Sequence, residues 1–338
     1  MEERYSRQEL FSGIGSEGQA LLAEKHVLII GAGALGSANA EMLVRAGVGK
    51  ITIVDRDYVE WSNLGRQQLY TEEDALTSLP KAKAAEQKLL AINSRVKIVG
   101  IAEEFHAENA EQLVESVDIL IDGTDNFNTR FIINDVTCKL NVPWVYGGCL
   151  ESHGTCLAIL PGKTPCLKCL FDYLPQEGGT CDTLGIIGPA VQMTAAYQTA
   201  ECLKFLTGQL MSPEMVYFDV WERQSSSVEV TKLLDPECSS CSSQADYPFL
   251  KKEKGLRTYM LCGRETVQVR PGQIEGFSLK ALNDRIKQVT SEVRGNGELL
   301  IFQINHLRFV VFKDGRTLIH GISDTSEAQK LYQQYIGA

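Results

Sequence analysis

The chain has 338 residues, of which 44% are apolar, and a net charge of −10. This length is enough for one large and one small domain. The acidic balance argues against a nucleic-acid partner. No apolar run approaches the length of a membrane span, and the N-terminus MEERYSRQEL lacks the apolar region of a signal peptide. We therefore expect a cytoplasmic enzyme, and in a cytosolic chain ten cysteines favour metal or redox chemistry over a disulfide framework.

The first predicted elements form a strand–helix–strand unit. Residues 27–30 and 51–54 are short apolar runs of the kind found in strands that are buried on both faces. Residues 35–46 between them have a helical pattern that ends near Gly47. Two strands joined by a helix lie parallel in one sheet, so the chain is predicted to begin an open α/β fold.

Three glycines join the first strand to the helix in the spacing G-x-G-x-x-G. Gly31 allows a tight turn, Gly33 lets a phosphate approach the backbone, and Gly36 lets the helix pack close to the strand. The helix N-terminus offers N–H groups and a partial positive charge to that phosphate. Asp55 follows the second strand, where a carboxylate can accept hydrogen bonds from ribose hydroxyls. This order predicts nucleotide binding. The fingerprint alone favours a dinucleotide such as NAD, but the residues after Asp55 argue against it.

A polar loop and a lysine come next. Asn63, Arg66 and Gln67 lie together in the segment SNLGRQ. A predicted helix that starts at a proline carries Lys81 in its first turn, where a positive charge is poorly placed for the helix dipole. Lys81 therefore either faces an anion or is an ordinary solvated lysine, and the sequence leaves both interpretations open.

Polar residues also follow the fourth predicted strand. Residues 96–101 and 118–121 are predicted strands, and the second of them leads into DGTDN. Ligands of open α/β sheets bind at the carboxyl ends of parallel strands. Asp125 is therefore a candidate for holding Mg²⁺ with a nucleotide phosphate, because hard cations prefer carboxylate oxygen. Asp122 and Asn126 are equally suited to serve only as turn or helix-cap residues.

Four cysteines form two widely separated CxxC pairs. Cys166 and Cys169 lie in PCLKC, and Cys238 and Cys241 lie in CSSC. The two-residue spacing lets both sulfurs of a pair reach one ion, and two such pairs are the pattern of a structural Zn²⁺ site. Free thiols or a redox CxxC are the alternatives, but a redox motif would not need the second pair.

The later part of the chain is predicted to add antiparallel strands to the parallel ones. Residues 144–146 and the segment HGTCLAILPG are predicted strands, and residues 189–208 are a predicted helix that starts at a proline. Residues 215–221 and 227–233 are predicted to form two further strands, which we expect to be antiparallel.

The predicted fold class is α/β. We expect a Rossmann-like mixed sheet, parallel in its first half and with antiparallel strands after it, plus a small C-terminal α+β unit. The predicted domains are a nucleotide-binding domain with the zinc clamp at 1–248, a basic linker at 249–257, and a small α+β domain of unknown role at 258–338. The sequence of this last domain contains no recognisable set of catalytic residues.

The ordered motifs resemble the MoeB/ThiF family, the bacterial relatives of ubiquitin-activating enzymes. The resemblance covers about residues 4–242 and rests on RYSRQ, GAGALG, SNLGRQ, DGTDN, PCLKC, TCDT and CSSC. It implies an adenylyltransferase that uses MgATP to adenylate the C-terminal glycine of a small ubiquitin-like sulfur carrier. It also implies a homodimer.

The resemblance carries the family's site roles onto residues of this chain. The residues implied in nucleotide binding are Gly31, Gly33, Gly36, Asp55, Asn63, Arg66, Gln67, Lys81, Asp125 and Asn126. Asn63, Arg66 and Lys81 would hold the phosphates. Asp55 would bind the ribose, and Asp125 would hold Mg²⁺. The cysteines implied in zinc binding are Cys166, Cys169, Cys238 and Cys241.

Two further residues have catalytic roles implied by the resemblance alone. Arg7 would reach into the ATP site of the partner subunit, although the residues by themselves suggest only a solvated basic face. Cys181 matches a loop cysteine that takes part in sulfur transfer, or in a covalent link to the carrier, in some members and is dispensable in others. Gly65 departs from the family pattern, which more often has a longer polar residue there.

The predicted function is therefore activation of a sulfur carrier, ThiS for thiamin or MoaD for molybdopterin synthesis. The tail lacks the catalytic-cysteine loop of a rhodanese, so a separate sulfur donor such as a cysteine desulfurase is expected. One alternative is an NAD(P)-dependent oxidoreductase, which leaves Arg66, Lys81 and the CxxC pairs unexplained. The other is a non-catalytic carrier-binding scaffold, which would not need charged residues that hold phosphates.

Overall fold

The computed structural model describes residues 3–171, 184–251, 257–260, 265–271 and 276–337. The chain divides into two compact units, one formed by Met1–Leu76 with Pro80–Lys252 and the other by Thr77–Leu79 with Glu253–Ala338. Within the described ranges, no helix has both the length and the apolar character needed to cross a lipid bilayer.

The first unit is built on an eight-stranded mixed sheet. Its strands are β1 (His26–Ile30), β2 (Lys50–Val54), β3 (Lys97–Ile101), β4 (Ile119–Asp122), β5 (Trp144–Leu150), β6 (His153–Ile159), β7 (Glu214–Asp219) and β8 (Gln224–Glu229). Their order in the sheet is β3-β2-β1-β4-β5-β6-β7-β8. Strands β1 to β5 pair in parallel, and β6, β7 and β8 pair antiparallel. The predicted mixed sheet is confirmed.

The helices of this unit precede β1 or lie between the strands in sequence. They are α1 (Ser6–Glu9), α2 (Gly15–Leu22), α3 (Ala34–Ala46), α4 (Glu72–Leu76), α5 (Lys81–Ile92), α6 (Ala110–Val114), α7 (Phe127–Leu140), α8 (Leu167–Leu170) and α9 (Gly188–Leu206). Short 3₁₀ helices span Glu3–Tyr5, Trp61–Asn63, Thr231–Leu233 and Pro248–Leu250. Helix α3 ends at Gly47, which has the left-handed φ of +85° that favours glycine at this position.

The strand order reverses beside β1, and this reversal determines where a ligand can bind. The chain runs outward from β1 to β2 and β3, and then returns to β4 on the other side of β1. The connections after β1 and β4 therefore diverge and leave a crevice at the carboxyl ends of these strands. Strand β4 is entirely buried, as expected for a strand covered by helices on both faces.

The predicted strand at 227–233 is misplaced. Strand β8 begins at Gln224 because the hairpin with β7 pairs Asp219 with Gln224. Every residue of β8 is exposed, so its side chains carry no apolar alternation that the sequence could reveal. The apolar residues after it belong to a 3₁₀ turn, in which Val230 is buried in the core and Leu233 packs against it.

The second unit is an antiparallel sheet with two helices. Its strands are β9 (Arg257–Met260), β10 (Thr266–Arg270), β11 (Val293–Gly295), β12 (Leu299–Ile304), β13 (Leu307–Phe312) and β14 (Thr317–His320), in the order β11-β12-β13-β14-β10-β9. Helices α10 (Leu279–Ile286) and α11 (Thr325–Tyr335) share an apolar core with this sheet. The turn between β13 and β14 contains Gly315, whose φ is +80°.

A buried polar network fixes α9 against the sheet and α3. Gln198 donates through Nε2 to the carbonyl oxygens of Asp122 (2.7 Å) and Val145 (3.2 Å). Its Oε1 accepts from Asn39 Nδ2 at 2.8 Å, and the hydroxyl of Thr199 donates to Asn39 Oδ1 at 2.8 Å. A fully bonded buried network fixes one packing, because any slip would leave polar groups without partners.

We predict that Gln198→Leu lowers the free energy of unfolding by about 2–4 kcal/mol, because buried carbonyl and amide groups lose their partners. Urea unfolding of the full chain measures the change. The control is Thr199→Val, which removes one hydroxyl of the same network and should cost only about 1 kcal/mol. A Gln198→Leu variant as stable as the wild type would contradict the structural role of the network.

Candidate functional site

The glycine turn lies between β1 and α3, and its glycines have different surroundings. Gly31 has a φ of +88°, and a Cβ there would lie 2.6 Å from the carbonyl oxygen of Gly123. A Cβ on Gly36 would lie 1.7 Å from the Gly31 oxygen. Gly33 instead has room for a Cβ, since the atom nearest to a Cβ at this position would be Gln67 Nε2, at 3.9 Å. Close backbone packing thus surrounds a gap at Gly33.

Asp55 follows β2 and is hydrogen-bonded to the glycine turn. Its Oδ2 accepts from the backbone N–H of Ala32 at 2.6 Å, and its Oδ1 accepts from the N–H of Asp57 at 2.6 Å. Burial raises the pKa of Asp55, and the nearby charge of Lys81 acts against this increase. The carboxylate is thereby oriented toward the carboxyl end of β1.

Lys81 is buried at the start of α5, with only 7% of its surface exposed. Its Nζ lies 3.4 Å from Asp57 Oδ2, and its charge acts on Asp55. A buried ammonium needs compensating negative charge. Of the two interpretations open from the sequence, the solvated lysine is therefore excluded, and a lysine that faces anionic groups is what the structure contains.

Two residues at this edge were not singled out from the sequence. The hydroxyl of Tyr70 lies 2.6 Å from the carbonyl oxygen of Ala32 and 3.2 Å from that of Lys81, so it joins the glycine turn to α5. Arg56 forms a 2.8 Å ion pair with Glu104. Neither position carries a local sequence signal for these contacts, because Ala32 lies 38 residues from Tyr70 and Glu104 lies 48 residues from Arg56.

The polar loop after β2 contributes three side chains of different character. Asn63 is buried, and its Oδ1 accepts from the N–H of Glu60 at 3.0 Å, so it caps the 3₁₀ helix. Arg66 is half-buried and donates to the carbonyl oxygen of Ser62 at 2.8 Å. Gln67 is 3% exposed.

The side-chain oxygen of Gln67 is a buried acceptor without a hydrogen-bond partner in the described part of the chain. Its amide nitrogen is the atom nearest to the gap at Gly33. Buried polar atoms are nearly always hydrogen-bonded in folded proteins. An unpartnered acceptor beside a gap in the glycine turn is consistent with a ligand that supplies a donor there.

The residues after β4 divide into structural and exposed groups. Asp122 is fully buried and forms a 2.9 Å ion pair with Arg130, and it also accepts from the N–H of Thr124 at 2.9 Å. Asn126 caps α7 by accepting from the N–H of Thr129 at 2.9 Å. Asp122 and Asn126 therefore fill the turn and cap roles that the sequence left open for them.

Asp125 differs from its neighbours because it is exposed. Its negative charge contributes to the raised pKa of Arg56, along with the charges of Asp57 and Glu104, against the effect of burial. Arg56 thus lies within electrostatic reach of both the Asp125 loop after β4 and the Asp57 loop after β2. The strands that precede these loops flank β1 in the sheet, so Asp125, Lys81 and the glycine turn meet at one edge.

The structure gives limited information on two predicted catalytic residues. Arg7 is exposed on α1. Cys181 lies outside the described residues.

The four CxxC cysteines come together as a compact cluster. Their sulfur atoms all lie within 4.8 Å of one another. The separations are 3.7 Å for Cys166–Cys169, 3.7 Å for Cys166–Cys238 and 3.5 Å for Cys169–Cys241. A tetrahedral Zn²⁺ with four thiolates at its usual bond length gives sulfur separations of about 3.8 Å. The cluster can hold a metal ion.

A model of the ThiF family matches residues 5–240. The chain belongs to the ThiF family. The resemblance to MoeB/ThiF proteins is thereby confirmed, and the match ends within the second cysteine pair of the cluster, between Cys238 and Cys241.

Individual relatives extend this comparison. A Bacillus subtilis protein named sulfur carrier protein ThiS adenylyltransferase is 48% identical over 337 residues, which cover 100% of both chains. A Thermus thermophilus protein named sulfur carrier protein adenylyltransferase is 34% identical over 252 residues, covering 72% of this chain and 91% of the relative. The first of these matches therefore extends beyond the ThiF-family domain into the second unit.

Solved structures share the fold. A crystal structure of E. coli MccB with ATP superimposes with a TM-score of 0.60 at 25% identity, covering 72% of this chain and 74% of that chain. The α/β architecture of this ThiF-family chain is therefore one that solved structures already contain.

We predict that Gly36→Ala lowers the free energy of unfolding by about 3 kcal/mol or more, because its Cβ would overlap the Gly31 carbonyl. Denaturant unfolding followed by far-ultraviolet circular dichroism measures it. Gly33→Ala is the matched control, since there is room for its Cβ, and it should cost about 1 kcal/mol or less. Equal losses in the two variants would contradict the close packing at Gly36.

Proposed function

We propose that this chain is an adenylyltransferase that uses ATP to activate the C-terminal carboxylate of a ubiquitin-like sulfur carrier. The observation that carries the proposal is the buried Lys81, held beside Asp55 and Asp57 next to a glycine turn with a gap at Gly33. A buried cation at this position suits a polyphosphate, whereas a hydride-transfer site has no need of it. The names of both relatives support the same activity.

The nucleotide would lie across the carboxyl edge of β1. Its phosphates would approach Gly33 and the N-terminus of α3, where N–H groups are available. Asp55 would bind the ribose, and the unpartnered oxygen of Gln67 would accept a hydrogen bond from the nucleotide. The MccB structure with ATP, which shares this fold at 25% identity, supports ATP as the nucleotide.

The phosphates would be held by cationic and amide groups from two loops. Lys81, Arg66 and Asn63 would contact them, although Asn63 Oδ1 is already engaged as a cap, so its amide nitrogen is the group to do so. The exposed carboxylate of Asp125 fits a hard cation such as Mg²⁺, which would neutralise phosphate charge when bound.

The reaction requires no protein nucleophile. A carboxylate oxygen of the carrier's terminal glycine attacks the α-phosphorus of ATP and forms an acyl-adenylate. The bond between the α-phosphorus and its bridging oxygen breaks, and that oxygen leaves with pyrophosphate. The protein contributes by holding the reactants in line and by placing positive charge where negative charge develops.

The carrier we propose is of the ThiS class. The Bacillus subtilis relative is named for ThiS and matches this chain over its whole length, including the second unit, whereas the Thermus thermophilus match covers 72% of the chain. MoaD remains the second candidate. The sulfur would come from a separate donor, such as a cysteine desulfurase. Cys181 remains a candidate for a sulfur-transfer step after adenylation.

The four-cysteine cluster would hold a structural Zn²⁺, because four thiolates saturate a tetrahedral ion and leave no position for substrate. The chain would also act as a homodimer, in which the exposed Arg7 of one protomer reaches the ATP site of its partner. Within this arrangement the metal supports the fold and the cations at the carboxyl edge support the chemistry.

We predict that Lys81→Ala reduces carrier-dependent ATP–pyrophosphate exchange by about 100- to 1,000-fold, because a fixed positive charge is lost where the pyrophosphate leaves. The assay follows exchange of labelled pyrophosphate into ATP with purified ThiS, and in parallel with purified MoaD. We expect the higher exchange with ThiS.

The matched control is Lys83→Ala. Lys83 lies just beyond Lys81 on the same first turn of α5, but it is partly exposed and pairs with Glu86 at 3.1 Å. It should retain nearly full exchange. Full exchange by the Lys81→Ala variant would contradict the proposed role of this lysine. If the wild type showed no exchange with either carrier, the non-catalytic carrier-binding scaffold would be favoured.

We predict that the purified chain carries about one equivalent of zinc, since its four cysteines match a structural site. Inductively coupled plasma mass spectrometry of protein prepared without chelators measures the content. Cys238→Ser should lose the metal, whereas Cys156→Ala, a buried cysteine of β6 outside the cluster, should keep it. Zinc well below one equivalent in the wild type would argue against the site.

A further inference from the structure

Helix α7 presents a single stripe of side chains to both cysteine pairs. The stripe consists of Phe127, Phe131, Asn134, Asp135 and Cys138, which follow the spacing i, i+4, i+7, i+8 and i+11. Residues at this spacing lie on one face of a helix. Its amino-terminal half is aromatic, and its carboxyl-terminal half is polar.

The aromatic half of the stripe packs against the residues that follow each cysteine pair. The ring of Phe131 stacks on Phe249 with centroids 4.5 Å apart, and it meets Phe171 edge-on at 4.9 Å. Phe127 also meets Phe171, at 5.3 Å. One helix face thereby touches both segments that the cysteine cluster joins.

The side chain of Asn134 supports the first cysteine pair by a hydrogen bond to the backbone next to it. Its Oδ1 accepts from the N–H of Leu167 at 2.7 Å, and Leu167 directly follows Cys166. The side chain of Asn134 is fully buried. This hydrogen bond fixes the first turn of α8, on which Cys166 and Cys169 depend for their relative position.

Asp135 supports the second cysteine pair. Its Oδ2 accepts from the N–H of Phe249 at 2.7 Å, and the N–H of Tyr247, just before Phe249, donates to the carbonyl oxygen of Ser239 at 3.2 Å. Ser240 lies between Cys238 and Cys241, and its own N–H donates to Cys238 Sγ at 3.4 Å. Asp135 therefore holds the loop that presents these two sulfurs.

We propose that Asn134 and Asp135 are positioning residues for the metal centre. Asn134 fixes the first cysteine pair, and Asp135 fixes the second. The proposal rests on the zinc site assigned under the proposed function. Removing a group that orients metal ligands through hydrogen bonds typically changes metal affinity about 10- to 100-fold.

The test measures the rate of zinc release from the full-length chain to an excess of a chromogenic chelator. Asn134→Ala and Asp135→Ala should each release zinc about 10-fold faster or more than the wild type.

The matched control is Val136→Ala, a fully buried residue of the same helix in the apolar core. It should lower the unfolding midpoint but leave the release rate unchanged, which separates general destabilisation from an effect on the metal. A wild type with about one zinc per chain and variants with unchanged release would overturn this proposal alone. A wild type without metal would overturn the zinc site and this proposal with it.

Discussion

Three backbone segments approach one another at the carboxyl edge of the sheet more closely than side chains would permit. A Cβ on Gly123 would lie 2.7 Å from the Gly31 oxygen and 2.8 Å from the Gly36 Cα. This contact holds the first turn of α3 directly above the ends of β1 and β4. The helix N-terminus is therefore fixed in place, and the gap at Gly33 is the part of the turn that another molecule can approach. The position of every charged group at the edge is set relative to this contact.

The charges at the edge are arranged before any nucleotide arrives. Lys81 is buried with Asp57 beside it and Asp55 nearby, and Arg56 is similarly balanced by Glu104 and neighbouring carboxylates. An arriving polyphosphate would compete with Asp57 for the lysine and would not have to order a mobile side chain. Because the cation is held in place in advance, little reorganisation is required when charge develops during the reaction.

The sequence predicted the features that depend on local spacing. Strand periodicity, the glycine pattern and the two CxxC pairs are short-range signals, and the mixed sheet and the cysteine cluster follow from them. Lys81 shows the limit of such signals, because only its burial by distant residues decides between a solvated and an anion-facing side chain. Tyr70 donates a hydrogen bond to a carbonyl oxygen 38 residues away, and the residues around it in the sequence do not indicate this contact. Strand β8 was misplaced because an exposed edge strand has no apolar alternation, and its start is set by pairing with β7.

A single ion bound by both cysteine pairs would restrict the conformations of the unfolded chain. Cys166 and Cys238 are 72 residues apart, so a bound metal closes a long loop that contains α9, β7 and β8. By analogy with a disulfide of that span, closure would remove chain entropy worth about 4 kcal/mol from the unfolded state. The enclosed β8 buries none of its side chains. The stability of the folded segment that contains this hairpin would then depend in part on metal supply and on reduced thiols.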